Sequence, residues 1–251
     1  MEAETNRKPI SLALQGGGAH GAFTWGVLDR LLTDGRAEIV AISGTSAGAM
    51  NAVVAASGLM SGGPEEAAAA LARFWRKVSD AAKYSPIRRN PIDVFLGNWS
   101  LDRSLGYAFF DRLTRVASPY ELNPMNLNPL REVLEDVVDF QAVRRCERMK
   151  LFISATNVET GRVRVFDRRH LTADMVMASA CLPNIYQAVV IDGAPYWDGG
   201  YMGNPALFPL ISVMESKDIL IVQINPVERK GVPTTAREIQ DRINEITFNS
   251  S

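Results

Sequence analysis

Residues 39–58, preceded by Glu38, read Ile39-Val40-Ala41-Ile42-Ser43-Gly44-Thr45-Ser46-Ala47-Gly48 and then Ala49-Met50-Asn51-Ala52-Val53-Val54-Ala55-Ala56-Ser57-Gly58. How this stretch is parsed decides the fold. Ile39 to Ile42 make an apolar run of strand length, and the small-residue run after Ala47 has the length of a helix. Between them lies Gly44-x-Ser46-x-Gly48. In a strand, sharp turn and helix of this kind, the serine sits on a strained backbone with its hydroxyl exposed above the sheet edge. Gly44 and Gly48 suit that corner, because a side chain at either would collide with the neighbouring strand or helix. The helix that starts at the serine also points its positive end at any negative charge developing there. Ser46 is therefore the candidate nucleophile.

Upstream, Ile10–Gln15 is the expected first strand, and it runs directly into Gly16-Gly17-Gly18-Ala19-His20-Gly21. A helix follows to about Leu32, with Val27, Leu28, Leu31 and Leu32 on its apolar stripe. The spacing Gly16-x-Gly18-x-x-Gly21 also fits a dinucleotide-binding turn, which needs an acidic residue at the end of the second strand. That strand ends in Ser43-Gly44-Thr45-Ser46, and Glu38 lies at its beginning, the wrong end. The better reading is an oxyanion hole, since consecutive glycines let backbone N–H groups of Gly16, Gly17 and Gly18 approach an anionic oxygen. Two glycine-rich turns after successive parallel strands would share one edge of the sheet.

Downstream, Pro64–Lys77 reads as an alanine-rich helix. Residues from about 84 to 129 then change character, with clustered prolines, asparagines and aromatics and no strand pattern. This insertion reads either as a lid or acyl-chain groove built from Phe95, Leu96, Trp99, Phe109 and Phe110, or as packing of those residues onto the body. Asn128-Pro129 is a helix start, with a capping asparagine before a proline at the first position. Lys150–Ala155 and Arg162–Asp167 read as a hairpin, with Arg162 and Arg164 on its wet face beside Arg168 and Arg169. Thr172–Cys181 is a short helix and Ala188–Ile191 a strand. Asp192-Gly193 turns, and Tyr196-Trp197-Asp198-Gly199-Gly200 follows. Asp218–Ile224 is nearly all apolar, as in a buried parallel strand. The last helix opens on a capping box, Thr235-x-x-Glu238. It carries Ile239, Ile243 and Ile246 on a stripe still running at Ser251, so relatives are expected to continue further.

The bulk numbers agree with an ordinary globular protein. The chain has 251 residues, 47% hydrophobic and 22% charged, enough for one large α/β domain. A net charge of -1 argues against nucleic-acid binding, which needs a concentrated basic field. Cys146 and Cys181 lie far apart and read as buried thiols. The polar N-terminus resembles no signal peptide, and no run approaches the length of a membrane span. The expected setting is cytoplasmic, touching a membrane at most peripherally, from outside.

A serine hydroxyl needs an adjacent base. The chain has two histidines, His20 inside the glycine loop and His170 after an arginine pair. A Ser–Asp–His order would require His170 at the end of a late strand, and nothing marks it for that place. Asp198 has the better claim, since the flanking Gly199 and Gly200 permit close approach of another backbone. The competing reading is an aspartate in a turn for its turn propensity alone. As a base it must contact Ser46 directly, with burial raising its basicity.

Taken together, Gly16–Gly21, Gly44–Gly48 and Asp198-Gly199-Gly200 resemble the motif set of the patatin-like phospholipase family, and the likeness runs from about Ile10 to Ile224. The resemblance implies lipid acyl hydrolysis by a serine–aspartate dyad without histidine. Ser46 would be the nucleophile, Asp198 the base, and the Gly16–Gly18 backbone the oxyanion hole. Gly21, Gly44, Gly48, Gly199 and Gly200 would support the motifs. It further implies a single domain over 1–251 with a three-layer α/β/α fold of FabD/lysophospholipase type and a mostly parallel central sheet. The substrate would be an acyl lipid, and no metal or other cofactor would be required. Two rivals keep the same residues: an acyltransferase using the same acyl-enzyme, which in related folds brings a histidine into the site, and a non-catalytic lipid- or nucleotide-binding module.

Overall fold

The computed structural model describes residues 7–83, 112–114, 116–213 and 215–249. Its strands are β1 (Lys8–Leu14), β2 (Ala37–Gly44), β3 (Lys150–Asn157), β4 (Val163–Asp167), β5 (Val189–Ile191), β6 (Ala194–Asp198) and β7 (Ile219–Val222). They form one seven-stranded sheet in the order β5-β6-β3-β2-β1-β7, with β4 also paired to β3. The run β7-β1-β2-β3 is parallel, and β4, β5 and β6 add antiparallel pairings beyond it. The expected parallel sheet is thus the half that carries both glycine-rich turns.

Alternation along the strands sorts side chains between two helical layers. Leu12 and Leu14 of β1 and Ile42 of β2 face the thicker layer. There they meet α1 (Gly21–Asp34), α2 (Ala47–Ala82) and the helices Pro129–Val137, Phe140–Arg145 and Ala173–Ser179. Ala13 and Ala41 face the thinner layer, where Leu210 of the helix Phe208–Val213 covers them.

Small side chains explain how the first part of α2 lies so close to the sheet: every residue from Ala47 to Gly58 is buried. The helix breaks at Gly62 and Gly63, where Gly63 takes a left-handed φ of 78°, and Pro64 starts the next segment. The expected Pro64–Lys77 helix is therefore present and runs to Ala82. No helix among the described residues is long and apolar enough to cross a membrane.

The hairpin β3–β4 and both helix starts form as expected. Asn128 caps Leu130 N–H at 3.2 Å, and Thr235 and Glu238 exchange backbone bonds at 3.2 and 3.0 Å. Two arginines of the basic cluster, in the turn after the hairpin, are spoken for. Arg169 pairs with Asp167 at 2.8 Å, and Arg168 donates to the Arg144 carbonyl.

Two readings need correction. The run at 218–224 is parallel but not buried: β7 is an edge strand, with Leu220 41% and Ile221 50% exposed. Continuous apolarity does not distinguish a central strand from an edge strand with no neighbour on its far side. Second, Ala194–Asp198, read only as the sequel to a turn, is a strand. Its Pro195 argues against a central strand and hides it. The insertion residues Phe95, Leu96, Trp99, Phe109 and Phe110, assigned to a lid or groove, lie outside the described residues.

Candidate active site

β2 ends at Gly44, and two residues later Ser46 adopts φ 53° and ψ −121°. A non-glycine residue with positive φ is uncommon, and it persists only where its surroundings over-determine it. Here they do. Ser43 Oγ donates to the Ala206 carbonyl at 2.6 Å, and Thr45 Oγ1 donates to the Gly203 carbonyl at 2.6 Å. The Ser46 N–H donates to Ser179 Oγ at 2.9 Å. The glycines on either side are required by contact: a Cβ on Gly48 would lie 2.1 Å from the Leu14 carbonyl oxygen, and one on Gly44 2.7 Å from that of Gly48. The collision expected at this corner is the one the backbone presents.

The glycine loop lies against the serine. A Cβ on Gly16 would come within 2.7 Å of Ser46 Cβ, and one on Gly21 within 2.6 Å of Ala47 Cβ. The buried Asn51 ties the far end of the loop to α2, donating to the carbonyls of Gly21 and Ala47 while accepting from Trp75 Nε1. Gly18 takes φ 57°, a turn that favours glycine. Of the three glycines expected to line an oxyanion hole, Gly16 has its N–H held by Asn204 Oδ1 at 2.7 Å.

Asp198 reaches this corner through strand register. β4 pairs with Phe152–Thr156 of β3. β2 pairs with Lys150–Ile153 and β6 with Ala155–Asn157, so both overlap β4 and must share the opposite edge of β3. They meet there head to head. Gly44 stands opposite Ile153 and Asp198 opposite Ala155, two positions or about 7 Å apart along β3. Close packing at the junction demands glycine, since a Cβ on Gly199 would lie 2.1 Å from the Ser154 carbonyl oxygen.

The Asp198 side chain is fully buried. Oδ1 accepts the Gly200 N–H at 2.7 Å, while Oδ2 has no hydrogen-bond partner among the described residues. Burial pushes the carboxyl up from its ordinary 3.8 to about 7, opposed first by the Gly200 bond and then by the nearby Ser46 hydroxyl. The Ser46 hydroxyl thus lies close enough to the Asp198 carboxyl to favour its ionised form, against the effect of burial.

The other nucleophile and base candidates are placed elsewhere or silenced. Burial raises the Cys181 thiol to about 12, so it stays protonated. His170 is exposed in the turn after β4. Because β4 runs antiparallel to β3, the chain past Asp167 heads away from the end where β2 delivers Ser46. His20 lines a cleft of about 810 Å³ bounded by residues 224–234 and the last helix, and neither Ser46 nor Asp198 borders that cleft. No cluster of three or more metal-ligating side chains occurs among the described residues. Ser179 and Asn204 escaped the sequence reading. Ser179 lies in a short helix without a motif, and Asn204-Pro205 carries only a turn signal.

The sequence model of the patatin-like phospholipase family matches residues 12–211. No curated protein matches the chain. VipD from Legionella pneumophila is similar at 16% identity and a TM-score of 0.43, over 79% of this chain and 46% of its own. ExoU of Pseudomonas aeruginosa, in its complex with SpcU from the type III secretion system, is similar at 18% identity and a TM-score of 0.38. That match covers 98% of this chain and 51% of ExoU. The chain therefore spans about half the length of these two proteins.

Proposed function

The chain belongs to the patatin-like phospholipase family, and on that premise we propose that it is a lipid acyl hydrolase cleaving carboxylic esters through an acyl-enzyme on Ser46, with Asp198 as general base. As Ser46 Oγ attacks the ester carbonyl, its proton passes to Asp198 Oδ2. The amides of Gly17 and Gly18 hold the tetrahedral oxyanion, helped by the positive end of α2. Asp198 then returns the proton to the leaving alkoxide. Water attacks the acyl-enzyme, gives a proton to Asp198, and the collapse of the second intermediate restores Ser46 Oγ–H and releases the fatty acid.

The observation that carries this reading is the buried Asp198 Oδ2, without a hydrogen-bond partner among the described residues, in a carboxyl that feels the hydroxyl of a serine on a strained corner. A carboxyl near 7 is matched to proton transfer from a hydroxyl at neutral pH, where one near 4 would be a poor acceptor. Strands drawn from residues 8–222 surround the site, and the helix Ala236–Asn249 returns to it, which supports one catalytic domain. Substrate would be taken from a lipid surface by peripheral contact.

A short-chain nitrophenyl ester and a fluorophosphonate probe test the assignment. Ser46→Ala should abolish labelling and leave only the residual rate that binding and oxyanion stabilisation supply, of order 10³–10⁴ over water. Labelling that survives this change would exclude Ser46. Full turnover by Asp198→Asn would exclude the base.

A further inference from the structure

Asn204 lies outside the proposed dyad, yet its buried side-chain amide is engaged at both ends. Oδ1 accepts the Gly16 N–H at 2.7 Å, and Nδ2 donates to the Phe248 carbonyl at 2.9 Å, near the end of the helix Ala236–Asn249. Only this orientation of the amide matches donor to acceptor on both sides. Gly16 in turn presses on Ser46, as the 2.7 Å approach of its hypothetical Cβ to Ser46 Cβ shows. A planar amide held at one end is oriented at the other. The carbonyl at the helix end therefore sets the plane that receives Gly16, and Gly16 sets the direction in which the next two amides point.

The same helix end makes two further contacts on the same structure. Gln15, the residue before the loop, accepts from the N–H groups of Ile224 and Asn225 at 2.7 and 2.8 Å and donates to Asn249 Oδ1 at 3.1 Å. Phe248 packs its ring against Tyr201 at 5.0 Å between centroids and closes over Gly200, where a Cβ would sit 2.3 Å from Phe248 Cε1. Two consecutive residues thus reach both the glycine loop and the turn that carries Asp198.

We propose that Asn204 is a positioning residue that holds the glycine loop in its oxyanion-binding shape and makes that shape depend on docking of the helix end at Phe248–Asn249. The role rests on the reading that the Gly17 and Gly18 amides receive the oxyanion.

The test uses the full chain and two variants, Asn204→Ala and Asn204→Asp. Steady-state hydrolysis of a soluble nitrophenyl ester is measured beside hydrogen–deuterium exchange of peptides covering 14–21 and 236–249. Loss of a donor from an oxyanion hole slows turnover about 10²–10³-fold, and a loosened loop should cost part of that. Asn204→Ala is expected to turn over about 10–100-fold more slowly, with KM within about twofold. It should also speed exchange at Gly16–Gly18 while β1 and β2 keep their protection. Asn204→Asp keeps the acceptor for Gly16 but sets a carboxylate against the Phe248 carbonyl. It should release the helix end and lower kcat as well, and it stands in if the alanine variant fails to fold. A wild-type kcat, or wild-type exchange at Gly16–Gly18, in Asn204→Ala overturns the proposal. So does a released helix end in Asn204→Asp with kcat and loop exchange unchanged. If the wild-type chain neither turns over ester nor takes the fluorophosphonate, the hydrolase reading fails, and the exchange arm still decides whether Asn204 holds the loop.

Discussion

Burial and hydrogen bonding act on Asp198 in opposite directions, and burial dominates, placing the carboxyl near 7 rather than 3.8. A general base works only when deprotonated. The rate on a soluble ester should therefore rise about tenfold per pH unit below about 7 and level off above it. A profile already flat from pH 5 upward would mean that a different group takes the proton. A second residue-scale consequence concerns Gly48. Its Cβ would stand 2.1 Å from the Leu14 carbonyl oxygen, which is backbone and cannot rotate away. Gly48→Ala should force α2 off the end of β1, at a cost in stability of about 1–3 kcal/mol or more, measurable as a lowered urea midpoint. An alanine variant as stable as the wild type would show that the corner has room to spare.

At the scale of elements, convergence depends on β2 and β6 sharing one edge of β3, and Gly199 is the point of closest contact. Gly199→Ala would place a methyl 2.1 Å from the Ser154 carbonyl oxygen and push the end of β6 away from β3, carrying Asp198 with it. A displacement of about 1 Å should slow turnover by roughly 10²-fold or more, with a much smaller change in melting temperature. Retained activity would imply that Asp198 need not sit where β6 delivers it. This junction also marks the limit of what could be read from residues alone. The corner at Ser46, the glycine loop, the β3–β4 hairpin and the caps at Asn128 and Thr235 were legible because each is decided within a few neighbouring residues. The β6 strand, the edge position of β7, and the contacts of Ser179 and Asn204 were not. Asn204 meets Gly16 across 188 positions of sequence and Ser179 meets Ser46 across 133. Pairings at that separation follow from register and packing, which leave no periodic trace in either segment. Asp198 stands out in the sequence as a candidate through its glycine neighbours, while its mode of arrival, a second strand on an edge already begun by β2, is visible only in the sheet.

For the whole molecule, a buried carboxylate near 7 makes folding itself depend on pH. Below 3.8 the carboxyl is protonated both folded and unfolded, and it contributes no slope. Between about 4 and 7 the folded chain keeps a proton that the unfolded chain has lost, so stability falls as pH rises, by about 1.4 kcal/mol per unit. Above 7 both states are ionised and the loss levels off at about 4 kcal/mol. Other carboxylates act in the opposite sense: Asp34, Glu121 and Glu238 are held below their ordinary values by hydrogen bonds, and their contribution is lost toward acid. A paired measurement removes that background, because Asp198→Asn alters only the buried group. Urea midpoints of the two proteins should differ by a constant near pH 4, set by the amide's own fit. The variant should then gain progressively up to pH 7 and keep a fixed advantage beyond. Parallel curves across the whole range would mean that Asp198 is not held protonated by its surroundings. A growing gap would instead show that the surroundings of Asp198 disfavour its ionised form, so that the fold is less stable at neutral pH than an amide at this position would make it.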